Sequence, residues 1–257
     1  MAMLEVKGIT KRFGGIVALK DVDLQVEKGT VVAIIGPNGS GKTTMLNVIT
    51  GVYVPEEGQI LLDGKEIQGM ASEKVCYAGV SRTFQNIRLF RNLTAIENVM
   101  LGSHRLYQSN VLNIVGKTKK FKEEEQKLHE KAEQILKFVG LEGKENFRMS
   151  KLTYAQQRYL EIARALASEP KLLLLDEPAA GMNPVEIANL IKLIKNMSKN
   201  GITILLIEHI MDLIKDVADN VFVLNYGEKI AEGKYSEVSE NPLVIEAYLG
   251  KGAIDKC

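Results

Sequence analysis

Two short stretches carry residue types at spacings that can do chemistry. The octet GPNGSGKT, Gly36 to Thr43, fits the pattern G-x-x-x-x-G-K-[ST] and lies between an apolar run and a helical pattern. Glycines there let backbone N–H groups turn inward around phosphate oxygens. The candidate phosphate cradle is Gly36, Asn38, Gly39, Ser40, Gly41, Lys42, Thr43 and Thr44. Lys42 supplies a compact positive charge for β and γ phosphates, and the Thr43 hydroxyl is placed to ligate Mg²⁺. The second stretch, KLLLLDEP, ends an apolar run in Asp176 and Glu177. Asp176 is a candidate Mg²⁺ holder through water, and Glu177 a candidate to orient or deprotonate an attacking water. Two further polar residues fall at the ends of expected strands: Gln85 in SRTFQ, a candidate metal ligand, and His209 in ITILLIEH, a candidate γ-phosphate or water contact.

These residues need elements to position them. TVVAIIG is a continuous apolar run ending in glycine, the pattern of a strand buried on both faces, and KTTMLNVIT reads as a helix. MLEVKGITKRF and VALKDVDLQVEKG alternate apolar and polar residues, as half-buried strands do. EEGQILLDGKEI predicts a hairpin turning at Asp63-Gly64, and AGVSRTFQ a short strand. From Ala95 to Ala167 strand signals vanish, leaving TAIENVMLGSHRL and the charged KKFKEEEQKLHEKAEQILKFVGL as helices. The mixed signs of KTKKFKEEEQK at helical spacing predict a solvated helix face rather than a nucleic-acid arm. After Pro170, KLLLLDEP, GITILLIEH and NVFVLNYGE alternate with helices, which predicts a parallel sheet with crossovers. The fold class expected is an α/β P-loop core with a mainly parallel sheet, an N-terminal antiparallel β subdomain and an inserted helical subdomain. The expected division is 1–94 with 168–257 as the core and 95–167 as the helical part.

Composition sets limits. The 257 residues carry 46% apolar and 25% charged residues with net charge +1, so no global basic field would draw nucleic acid or an anionic membrane. Two cysteines, Cys76 and Cys257, make neither a disulfide framework nor a metal site and suit a reduced, cytoplasmic chain. MAMLEVKGITKRF carries charges too early for a signal-peptide core, and no apolar run approaches a membrane span.

KLTYAQQRYLEIARAL, Lys151 to Leu166, supports two readings. Thr153 followed three residues later by Gln156 is a capping-box pattern. The same helix start, with its N–H groups and dipole, is also a candidate anion site.

The ordered motifs GPNGSGKTT, RTFQ, LTYAQQR, LLLLDEP and the EH histidine resemble the nucleotide-binding subunit of an ABC transporter over roughly residues 3 to 250. GVSRTFQNIRLFRNLTAIENV, YAQQRYLEIARAL and EPAAGMNP are similar to the ATPase subunits of branched-chain amino acid importers. The resemblance implies ATP and Mg²⁺, and an ATP-sandwich dimer in which the signature residues Thr153, Tyr154, Ala155 and Gln156 meet ATP held by the other subunit. It implies a second ATPase subunit, identical or related, transmembrane permease subunits, an extracytoplasmic solute-binding protein, and a peripheral place on the cytoplasmic face of the cell membrane. The alternatives in the family are the ATPase of an exporter and a soluble ABC ATPase outside transport. A single phosphate loop, a short insertion and near-zero charge weigh against nucleic acid as partner.

The chain departs from the family's usual residues. Tyr154 and Ala155 stand where glycines are usual, so ordinary negative φ is expected at both, with the Ala155 N–H as a phosphate donor. Asn183, in the inter-subunit loop, stands where aspartate is usual and keeps an acceptor without the charge. Phe13 fits the adenine-stacking position where tyrosine is more common, because stacking needs the π face.

Overall fold

The computed structural model describes residues 2–106 and 118–249. Cys257 and the tail from residue 250 lie outside the described residues, while Cys76 is exposed. The chain divides into two compact units. Met1–Arg82, Lys171–Ala179 and Pro184–Cys257 form the first, and Thr83–Pro170 with Ala180–Asn183 the second.

The first unit holds the strands β1 (Ala2–Phe13), β2 (Ile16–Glu27), β3 (Val31–Ile35), β4 (Glu57–Leu62), β5 (Lys65–Glu66), β6 (Val80–Arg82), β7 (Leu172–Asp176), β8 (Thr203–Ile207), β9 (Asn220–Asn225) and β10 (Glu228–Gly233). An antiparallel sheet has the order β2-β1-β4-β5, and its last hairpin turns at Asp63 (φ 50°) and Gly64 (φ 75°), the left-handed pair a two-residue turn requires. The second sheet has the order β10-β9-β3-β8-β7-β6, parallel throughout except for β10. Strand β10 is an addition to the sequence reading. EKIAEG lacks a clean apolar alternation, but the Tyr226-Gly227 turn (φ 47° and 82°) folds it back as a largely exposed edge.

The apolar runs follow from burial on both sheet faces. Val32, Ile34, Phe222 and Leu224 join a core with Met45 and Leu46 and with Leu4, Ile9 and Leu19 of the antiparallel sheet. Their neighbours Ala33, Ile35, Val221 and Val223 point the other way, against Ile214, Val238 and Val244. Alternate side chains thus fill two different cores, so no position in β3, β7 or β8 remains for a solvent-facing polar residue. Because β3, β6, β7 and β8 run parallel, their carboxyl ends open on one edge of the sheet, where ligands of such sheets bind.

The second unit is built on the helices Ala95–Gly102, Lys119–Phe138 and Tyr154–Leu166, with no named strand among its described residues. The first helix starts with a capping box between Thr94 and Glu97. A Cβ on Gly102 would lie 2.0 Å from the Arg164 carbonyl oxygen, so only glycine permits this approach of two helix backbones. The charged helix buries Leu128, Ala132 and Leu136 and faces its acids and bases to water. Among the described residues no helix is long and apolar enough to cross a membrane.

Candidate functional site

In the first unit the loop between β3 and the helix Lys42–Ile49 is shaped by glycines. A Cβ at Gly36 (φ 150°) would fall 2.1 Å from the Leu224 carbonyl oxygen, and one at Gly41 (φ 108°) 2.7 Å from that of Ala18. The Lys42 ammonium curls back and donates to the carbonyl oxygens of Gly36 at 2.7 Å and Pro37 at 2.9 Å. Burial pulls the Lys42 ammonium below its usual value, while Glu177 and Asp176 oppose that shift. Ser40 is buried, and its Oγ has no hydrogen-bond partner. A buried hydroxyl without a partner costs free energy, so this cradle fits a ligand rich in acceptor oxygens.

Asp176 ends β7 and Glu177 follows it, as the sequence predicts. Asp176 is buried, and its Oδ2 accepts from Arg82 Nη2 at 2.7 Å; Arg82 Nη1 also donates to Asn47 Oδ1 at 2.6 Å. The sequence reading missed Arg82. The available signal was a base and an acid at the ends of two apolar segments, which only the β6-β7 pairing brings together. Glu177 leaves the strand at φ 48°, a left-handed conformation uncommon outside glycine. That turn accompanies a contact of 2.9 Å between Glu177 Oε1 and His209 Nε2, so the two candidate water-handling groups meet. At the end of β1, Phe13 is 40% exposed. Tyr53 meets its ring edge-on at a centroid distance of 5.0 Å, and the Lys11 ammonium lies 5.2 Å from the ring centroid.

In the second unit the helix Tyr154–Leu166 begins with the expected capping box. Gln156 N–H donates to Thr153 Oγ1 at 3.3 Å, and Thr153 N–H to Gln156 Oε1 at 3.0 Å. Neither Tyr154 nor Ala155 has positive φ. Arg158, buried one turn later, donates to the carbonyl oxygens of Phe84 at 2.8 Å and Gln85 at 2.5 Å, and to Tyr154 Oη at 2.8 Å. Glu161 accepts from the Phe84 and Arg88 N–H groups at 3.3 Å each, and burial pushes its carboxyl up. Arg158 thus fixes Gln85 by its backbone carbonyl, and Glu161 fixes the flanking Phe84 and Arg88 amides; the sequence reading passed over both charged side chains. Tyr154 leans on Gly181, where a Cβ would lie 3.1 Å from its ring. Asn183 closes this unit directly before the helix Pro184–Lys199. Gln85 and Asp176, both candidate metal ligands, belong to different units.

Residues 19–180 match the family described as ABC transporter, and residues 228–254 match Branched-chain amino acid ATP-binding cassette transporter. The chain belongs to the ABC transporter family. It is thus an ABC ATPase. It is 46% identical over 250 residues to the high-affinity branched-chain amino acid transport ATP-binding protein BraF of Pseudomonas aeruginosa, covering 97% of this chain and 98% of the relative. It is 40% identical to LivG of Escherichia coli K12 with the same coverage. Among solved structures, the ATP-binding cassette MJ1267 in its ADP conformation superposes with TM-score 0.85 at 33% identity, over 98% of this chain and 100% of that one. The dimeric cassette MJ0796 in a post-hydrolysis state with ADP and Pi gives 0.76 at 29% identity, over 91% and 99%.

Proposed function

We propose that this ABC ATPase hydrolyses ATP with Mg²⁺ in a two-subunit sandwich and powers branched-chain amino acid import through partner membrane subunits. The cargo rests on the likeness to BraF and LivG and on the match at residues 228–254. The sandwich rests on the dimeric MJ0796 cassette and on the signature helix start. The observation that carries the chemistry is the 2.9 Å contact of Glu177 with His209 at the strand ends.

In this reading the loop amides of Gly36–Thr44, with Asn38 and Ser40, grip the β and γ phosphates, and Lys42 gives up its carbonyl partners to pair with them. Phe13 stacks on adenine. Thr43, Asp176 and Gln85 are oxygen donors suited to Mg²⁺, which when bound neutralises charge on the phosphates. Glu177 accepts the proton of the attacking water, and His209 keeps Glu177 turned toward it. Thr153, Tyr154, Ala155 and Gln156 of the second subunit close the open side of the γ phosphate with a helix N-terminus. Asn183 lies at the contact between subunits. By role, residues 1–94 with 168–257 act as the ATP-binding core and 95–167 as the signature subdomain, although residues 83–94 belong to the second compact unit. The assembly comprises two ATPase subunits, peripheral on the cytoplasmic face of the membrane, with transmembrane permease subunits and an extracytoplasmic solute-binding protein.

Glu177→Gln tests the chemistry. ATP binding by calorimetry should persist, hydrolysis should fall by about a hundredfold or more, and gel filtration with ATP should show a trapped dimer. Undiminished turnover would remove Glu177 from its role. Uptake of labelled leucine by vesicles carrying the reconstituted complex tests the cargo.

A further inference from the structure

Glu208 stands between the last residue of β8 and His209, and it is 2% exposed. Its Oε1 accepts the Ala179 N–H at 2.8 Å, and its Oε2 accepts the His209 N–H at 2.8 Å and the Ile210 N–H at 3.3 Å. These three partners are all backbone amides. A carboxylate taken out of water is costly unless it is hydrogen-bonded, and here both oxygens are used to join two loops.

The turn after β7 has few donors to offer. Pro178 has no N–H. The Glu177 N–H goes to the Ile207 carbonyl oxygen at 2.9 Å, and the Ala179 N–H goes to Glu208. Residues 177–179 are therefore fastened at both ends to 207–208, across the left-handed turn at Glu177 (φ 48°). Such a conformation persists only where its surroundings over-determine it. On the other side the same carboxylate holds the first two amides of the segment that carries His209.

We propose that Glu208 is a positioning residue for ATP hydrolysis: its buried carboxylate bridges Ala179 and His209 and so sets the Glu177–His209 contact. This rests on the roles given above to Glu177 and His209. Glu208 touches neither nucleotide nor water in this scheme. Its loss lowers kcat and leaves nucleotide binding intact, because the phosphate cradle and Phe13 are held by other bonds.

The test uses the full chain with E208Q, E208A and E177Q in parallel. For each, ATP affinity is read by calorimetry, kcat and KM by phosphate release, and folding by thermal melting. Gln keeps one acceptor oxygen but turns an NH₂ toward an amide, so E208Q should lower kcat about tenfold; E208A removes both acceptors and should lower it about a hundredfold, the scale of an ångström's misplacement. KM and ATP affinity should stay within about twofold of wild type. The near-isosteric E208Q decides the matter if E208A does not fold. Wild-type kcat in the folded E208Q protein, or a raised KM with kcat kept, would overturn the proposal while a silent E177Q still upheld the hydrolytic reading. Wild-type turnover in E177Q would overturn both.

Discussion

At the start of the helix Lys42–Ile49 the N-cap is Gly41 in a left-handed conformation, and no side chain caps the first turn. At the start of Tyr154–Leu166, Thr153 and Gln156 cap each other's backbone reciprocally. Both are helix N-termini proposed to hold phosphate, yet the first has no side-chain cap and the second ties up the Thr153 and Gln156 amides in a cap of its own. The orphaned Ser40 Oγ belongs to the open one. The contrast teaches that one chain can build a ready-made anion nest and a self-satisfied one from the same helix geometry. The open start can bind ATP within a single subunit. The capped start keeps the Ala155 N–H outside its cap and frees the Thr153 and Gln156 amides only when the cap opens, which suits a site used only when two subunits close.

Lys42→Ala strikes the open site hardest. ATP affinity should fall about a hundredfold, the upper range for a hydrogen bond to a charged group, and calorimetry reads it directly. Unchanged affinity would break the comparison. Thr153→Ala removes the cap, which costs about 1 kcal/mol of helix stability. The melting temperature should drop and ATP-dependent dimerisation weaken, while single-subunit ATP affinity stays as in wild type. Weaker binding by the monomer would instead mean that both helix starts serve one nucleotide within a chain. Ser40→Ala has the smallest effect and the most telling sign. Without nucleotide the variant should melt no lower than wild type, since a partnerless buried hydroxyl is removed. ATP affinity should nonetheless fall a few-fold.

Much of this was legible in the amino-acid sequence. TVVAIIG, KLLLLDEP and ITILLIEH had to be doubly buried strands, because no alternating pattern was present. The Thr153–Gln156 cap was written in a spacing of three. Partnerships set by strand order were not legible. Arg82 reaches Asp176 only because β6 pairs with β7, although 94 positions separate them in sequence. Glu208 read as a neighbour of the histidine, and its bond to Ala179 follows from the β7-β8 pairing. Nothing in the sequence assigned a role to Arg158 and Glu161, and both are buried against the backbone of Phe84 to Arg88.

Glu177 occupies backbone territory that glycine tolerates far better than glutamate. Replacing it by glycine should yield a cassette that is catalytically dead yet more heat-resistant, by about 1 kcal/mol if that strain dominates. Durability and turnover are thus opposed at one residue, and selection for thermal hardiness alone would erode the enzyme.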